Sequence, residues 1–193
     1  MDIVRRLPAV LFQPKDEWAK IKAEPATAAG LFASYAMVLA AIPAVFQFLY
    51  RVLVERLPMI GHWPVVRALA SAVVTYVLSL ATVYLFALIV NGLAPSFASA
   101  RNLTAAMKLA VYSMTPGWVA GILNVVPGLS PLVILANLYG IYVLYLGFDA
   151  PMMETPKDKV PAYLGISFVV AVALFIVLGW FVRMIFAVRY GRL

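Results

Sequence analysis

Residues Val111–Phe148 read VYSMTPGWVAGILNVVPGLSPLVILANLYGIYVLYLGF. No Asp, Glu, Lys or Arg interrupts these 38 positions, which is nearly twice the ~20 apolar residues that one helix needs to cross a bilayer. Pro127 and Gly128 lie in the middle of the stretch, and a Pro-Gly pair favours a turn over a continuous helix. The stretch therefore predicts two membrane-spanning helices joined by a tight hairpin.

The composition of the whole chain also indicates a membrane protein. Of the 193 residues, 65% are hydrophobic and 12% are charged, whereas a soluble domain carries about 25% charged residues. The net charge of +7 does not indicate a nucleic-acid partner, because Lys and Arg collect in the cytoplasmic loops of membrane proteins. Cysteine is absent, which excludes disulfides, thiol nucleophiles and cysteine-ligated metals.

Five apolar segments reach the length of a membrane span. They are Ala28–Tyr50, Ala68–Leu93, Leu103–Val126, Leu129–Phe148 and Val160–Val182. Backbone polar groups in lipid must be satisfied within each segment, so we expect helices, and the apolar runs lack the alternation of barrel strands. The predicted fold class is an all-α, multi-pass membrane protein with five transmembrane helices.

Residues 1–27 form a predicted cytoplasmic segment before the membrane domain, which covers residues 28–193. Pro14 is suited to the first position of a helix. Trp18 and Ile21 would then share one face of that helix, because residues three apart are neighbours on a helix surface. The pattern predicts a short amphipathic helix that lies at the membrane interface, and the alternative is a short ordering element that binds no partner.

The chain offers little for catalysis or metal binding. No acidic residue lies inside a predicted span, although proton relays and intramembrane aspartyl proteases commonly need one. The single histidine, His62, lies in the first loop, and a metal site needs several donors. Sequence patterns of zinc peptidases, nucleotide-binding loops and serine hydrolases do not occur. We therefore predict no catalytic residue, no metal, no cofactor and no enzymatic activity.

Lys108 is the only charged residue inside a predicted span, five positions from its start. Its long apolar stem predicts that the ammonium snorkels to the lipid headgroups, in which case Lys108→Met would be tolerated. The alternative is that Lys108 faces a cavity and holds a lipid phosphate or another anion.

Small and polar residues of the hairpin are candidates for helix packing. Gly117 and Gly121 form a pair that lets two helices approach closely, and we favour packing within the hairpin over a homodimer because the short turn forces its helices together. Pro116 removes a backbone donor and would kink the helix. Asn124 and Asn137 need polar partners, and a bond between them, or to the backbone of the turn, would lock the hairpin.

Tyrosines recur every third residue on the fourth predicted span, at positions 139, 142 and 145. A stripe at this spacing is typical of an internal packing face. It would also suit a surface that contacts lipid or a partner protein.

Three short motifs follow one another along the opening stretch. They are Tyr112-Ser113-x-x-Pro116, the turn Val126-Pro127-Gly128-Leu129, and the closing run Tyr142, Leu144, Tyr145, Leu146 and Gly147. With Pro14, Trp18 and Ile21 placed before the first span, their order and spacing resemble the Yip1 domain family of five-span membrane proteins.

The resemblance implies a membrane location more than an activity. Eukaryotic members of the family are associated with Golgi and endoplasmic-reticulum trafficking and with Rab GTPases, but this chain does not show their long polar N-terminal region. It looks like the compact bacterial members, for which the family implies no settled activity, and this implies a bacterial inner membrane. With a cytoplasmic N-terminus, nine of the 15 basic residues lie inside and six outside, as the positive-inside rule favours.

Two classes of function follow. The favoured one is a non-enzymatic membrane protein that acts by protein association or membrane organisation. Its partners would be membrane lipids, another membrane protein or a second copy of itself. The alternative is a transporter, channel or lipid-handling protein with a site between the helices near Lys108. Convergence of Lys108, Asn124 and Asn137 on one cavity would favour this alternative.

Overall fold

The chain folds into helices joined by short turns. The computed structural model describes residues 3–54, 65–149, 152–173 and 176, and no strand occurs among them. The helices are α1 (Ile3–Phe12), α2 (Pro14–Ala23), α3 (Ala28–Leu53), α4 (Val65–Leu93), α5 (Leu103–Ala120), α6 (Ser130–Asp149) and α7 (Val160–Ala173). The predicted all-α fold class is confirmed.

Side-chain caps fix where two of the helices begin. The Thr27 hydroxyl accepts a hydrogen bond from the Gly30 N–H at 3.0 Å, at the start of α3. The Asn102 side chain accepts one from the Ala105 N–H, also at 3.0 Å, at the start of α5. Each bond satisfies a backbone donor that has no partner within the helix.

Three helical segments are long and apolar enough to cross a membrane, namely Ala28–Leu53, Val65–Phe97 and Ser130–Asp149. The described part of α7 is apolar but shorter. The remainder of the fifth predicted span, like His62 in the first loop, lies outside the described residues. A membrane protein with several spans is therefore supported, while the count of five stays a prediction.

Helix α5 is the central helix of the bundle. Every residue from Ala105 to Ser113 is buried, and α3, α4 and α6 all pack against α5. Burial on all sides is typical of an interior helix. The helix ends at Ala120, earlier than the predicted span, and two 3₁₀ turns, Gly121–Val125 and Pro127–Leu129, connect it to α6.

Candidate functional site

The apolar face of α2 contacts protein. Trp18 and Ile21 are each 1% exposed, and the Trp18 Nε1–H donates to the Val143 carbonyl oxygen of α6 at 3.0 Å. Gly147 makes room for the indole, because a Cβ at this position would lie 2.7 Å from the Trp18 ring. The residues predicted to lie at the lipid interface therefore attach α2 to the bundle.

Helix α1, which the sequence patterns do not predict, also packs against α6. The Tyr139 hydroxyl of α6 donates to the Leu11 carbonyl oxygen at 2.8 Å, and Val10 is 1% exposed. We call α1 and α2 together the N-terminal platform. Five of its charged residues, which we call its outward face, are exposed: Arg5, Lys15, Asp16, Lys20 and Lys22.

A cluster of charges joins the two helices of the N-terminal platform. Arg6 of α1 forms ion pairs with Glu17 of α2 and with Glu24, which follows α2. Lys20 pairs with Glu17 at 3.1 Å. The side chains of Arg6 and Glu17 are only 12% and 6% exposed. Removing one partner of a buried ion pair strongly destabilises the folded protein, because the other charge is left buried and unpaired. The cluster therefore holds α1 and α2 to each other.

The expectation that Lys108 snorkels is wrong. Its side chain is buried at 6% exposed, and its ammonium donates to the carbonyl oxygens of Ile21 and Glu24 at 2.6 and 2.7 Å. These carbonyls lie at the C-terminal end of α2, where backbone acceptors have no partner within the helix and a positive charge suits the helix dipole. Lys108 thus joins α5 to the N-terminal platform.

Aromatic residues continue this contact into the bundle. Tyr112 of α5 is 1% exposed, and its ring packs edge-on against Trp18 and Tyr35, with centroids 6.0 and 5.0 Å apart. The Arg6 guanidinium carbon lies 5.9 Å from the centroid of the Tyr112 ring, within the range of a cation–π contact. The Tyr35 hydroxyl lies 3.0 Å from that of Thr115.

Gly117 of α5 and Gly121, which directly follows α5, face different helices. A Cβ at Gly117 would collide with the Asn137 side chain of α6, as expected for packing within the hairpin. A Cβ at Gly121 would lie 2.6 Å from the Pro43 Cβ of α3. The expectation that Gly121 packs against the fourth predicted span is therefore wrong, because α5 is surrounded by several helices. The sequence patterns also missed Gly140, whose Cβ would lie 2.5 Å from the Ser113 carbonyl oxygen.

The two asparagines do not lock the hairpin by bonding to each other. Asn137 donates to the Val133 carbonyl oxygen at 2.8 Å, one turn earlier in α6. Asn124 lies in the 3₁₀ turn that follows α5 and is partly exposed.

The remaining predicted positions lie on α6, inside α5 and in the turns that join these two helices. Tyr142 and Tyr145 are 50% and 43% exposed, so the tyrosine stripe is not wholly internal. Pro116 is buried within α5, which continues past it to Ala120. Pro127 and Gly128 begin the second 3₁₀ turn, where a Cβ at Gly128 would meet no atom within 4 Å.

The three polar residues that were candidates for one site do not line a common cavity. Lys108 borders a cavity of about 200 Å³ beside the N-terminal platform. Asn137 borders a mainly apolar groove of about 430 Å³ between α4, α5, α6 and α7. Asn124 lines neither. Among the described residues, no three His, Asp or Glu side chains are close enough to hold a metal ion.

Sequence patterns missed the charged members of this site. Glu17 and Glu24 lie 11 and 18 positions after their partner Arg6. Both separations exceed the three or four positions that make two residues neighbours on one helix. Only the helix break at Pro14 hints that α1 folds back on α2, since proline is favoured at the first helical position.

Comparison with known proteins gives one match. The model of the Yip1 domain matches residues 9–181. No curated protein matches the chain, and no solved structure does.

Proposed function

Because the chain belongs to the Yip1 domain family, we propose that it is an integral membrane protein that works by association with another protein, without catalysis or transport. The observation that carries this proposal is the attachment of the N-terminal platform to the bundle through Trp18, Tyr139 and Lys108. These buried contacts present the outward face in one orientation. A charged surface of fixed orientation is suited to selecting a partner, because complementary charge steers association and fixes its register.

The charge of the N-terminal platform indicates the chemistry of the partner. Four of the five residues of its outward face are basic and only Asp16 is acidic, and three of the four basic residues remain when Lys20, which pairs with Glu17, is left out. Two copies of this face would repel each other, whereas an acidic protein surface would be attracted. We therefore propose a different protein with an acidic surface as the partner, and no nucleic acid.

The same charges support a proposal for the location and orientation of the protein. We propose that the N-terminal platform lies in the cytoplasm of a bacterium and that the bundle spans the inner membrane, since basic residues concentrate on the cytoplasmic side of membrane proteins. The separation of Lys108 from Asn124 and Asn137 supports association over transport, because these residues offer no common polar path.

Site-specific crosslinking tests this proposal. Ala19 is exposed on α2, and a photo-reactive amino acid at this position would capture the partner in living cells. We expect one discrete adduct, which is lost in the double variant Lys15→Glu/Lys22→Glu and regained when acidic residues of the captured protein are changed to lysine. The matched control is Arg67→Glu, an exposed charge reversal on α4, which should leave the adduct intact.

Two outcomes would overturn the proposal. One is an adduct that survives the charge reversal on α2 at full yield. The other is solute flux across vesicles containing the purified protein that clearly exceeds the flux across protein-free vesicles.

A further inference from the structure

The cavity beside Lys108 has an exposed rim and a buried floor. The rim is formed by the chain from Glu24 to Thr27 and by Gly30 and Ser34 of α3, and the floor by Lys108 and Tyr112 of α5. Gly30 and Ser34 are exposed, whereas the two floor residues are 6% and 1% exposed. Its volume of about 200 Å³ exceeds the ~30 Å³ share of one water molecule severalfold.

Lys108 is not in direct ion-pair contact with a carboxylate among the described residues, although the Glu24 carboxylate is near enough to attract its charge. Its two hydrogen bonds go to uncharged carbonyl oxygens, although an ammonium has three donors. The nearby Glu24 carboxylate is paired with Arg6, and Lys108 forms no ion pair within the described part of the chain. Burial of an unpaired charge is costly, so an anion in the adjoining cavity would stabilise the folded protein.

We propose that this cavity binds a phosphate group, with the Lys108 ammonium as its charged partner and a membrane lipid as its source. Lys108 lies five residues into α5, or about 7.5 Å along the helix axis at the rise of an α-helix. It contacts the C-terminal end of α2, and a position this near the end of a membrane-spanning helix is within reach of lipid headgroups. Basic pockets between membrane helices commonly receive such headgroups. The site is independent of the partner proposed above.

Thermal unfolding of the detergent-purified protein tests the site with three probes. They are phosphatidylglycerol, a diacylglycerol with the same acyl chains but no phosphate, and inorganic phosphate. Since a ligand that binds only the folded state raises its stability, we expect phosphatidylglycerol to raise the unfolding temperature and diacylglycerol to leave it unchanged. An equal shift with diacylglycerol would overturn the proposal, because acyl chains alone would then explain it.

Variants at the rim locate the effect. Ser34→Leu fills the cavity and Ser34→Glu opposes an anion, while both leave Lys108 and its two bonds in place. Each should weaken phosphatidylglycerol binding by about tenfold, corresponding to ~1.4 kcal/mol. The matched controls are Ala33→Leu and Ala33→Glu, at an exposed neighbour that does not line the cavity. Equal responses of the Ser34 variants and the wild type would refute the site.

The inorganic phosphate arm separates the two sources of the group. If free phosphate stabilises the protein at the same concentration as phosphatidylglycerol, the lipid is excluded as the required source. If only the lipid acts, and the Ser34 variants lose the effect, the lipid headgroup is the ligand.

Discussion

At the scale of single residues, Lys108 joins two parts of the molecule that are more than 80 positions apart in sequence. Lys108→Met would leave the Ile21 and Glu24 carbonyl oxygens without their charged donor. A buried acceptor left unpaired costs about 1–3 kcal/mol. We therefore expect a clearly lower unfolding temperature in detergent, measured by fluorescence-detected size-exclusion chromatography after heating.

Lys22→Met is the matched control for this substitution. Lys22 lies on the same platform but is exposed, so its replacement should change the unfolding temperature little. Equal unfolding temperatures for Lys108→Met and the wild type would show that the two carbonyl oxygens find water instead. The attachment of the N-terminal platform would then not depend on the Lys108 ammonium.

Single residues also show where sequence reasoning stops. The spacing of Gly117 and Gly121 correctly indicates close helix approach, since spacing is a local property. It does not reveal that Gly121 meets Pro43 of α3, because the partner of a helix face depends on how distant segments pack. For the same reason, the position of Lys108 in its segment predicts how deep the residue lies in the membrane. It does not predict that the ammonium binds two carbonyl oxygens of a distant segment.

At the scale of elements, the sequence predicts well which segments form apolar helices. It predicts poorly which of these helices pack against one another. Long charge-free runs identify α3, α4 and α6 as segments able to cross a membrane, because a bilayer requires continuous apolar length. The central position of α5 has no such signal, since the apolar residues that make up most of this helix suit lipid and protein surroundings alike. The amphipathic pattern of α2 likewise leaves open whether its apolar face meets lipid or, as observed, α6.

The attachment of the N-terminal platform is an element-scale property with its own test. Trp18→Phe keeps an aromatic ring but removes the hydrogen bond to the Val143 carbonyl oxygen, which is typically worth about 0.5–1.5 kcal/mol. We expect faster amide hydrogen exchange in α1 and α2, measured by mass spectrometry, with little change in α5. Local opening of this kind exposes one cooperative unit while the core stays closed.

Tyr142→Phe controls for the loss of a polar group on α6. Tyr142 is half exposed and directly precedes Val143 in α6. Because Tyr142→Phe keeps the ring that packs against Tyr139, this substitution should leave exchange in α1 and α2 unchanged. If Trp18→Phe accelerates exchange equally in α5, the platform and the bundle open as a single unit and the platform is not a separable element.

At the scale of the whole molecule, contacts between connections define one end of the bundle. The Ser99 hydroxyl donates to that of Thr155 at 2.9 Å, and the Ala100 N–H donates to the Met153 carbonyl oxygen at 3.0 Å. The turn after α4 and the connection before α7 therefore lie together. Since α4 returns the chain across the bundle after α3, this end is also the end that carries the N-terminal platform, and the turns between α5 and α6 lie at the opposite end.

The absence of cysteine allows this arrangement to be tested with single introduced thiols. Lys22→Cys and Ser96→Cys place thiols at exposed positions of the platform end, and Val126→Cys places one, on a residue 46% exposed, at the other. With the platform in the cytoplasm, a membrane-impermeant maleimide should label only Val126→Cys in cells whose outer membrane has been opened. The other two variants should react only after the inner membrane is permeabilised. Labelling of Lys22→Cys and Ser96→Cys from opposite sides of the membrane would contradict the arrangement of the bundle. If each of the three variants is instead labelled from the side opposite to the one expected, the arrangement holds and only the orientation in the membrane is reversed.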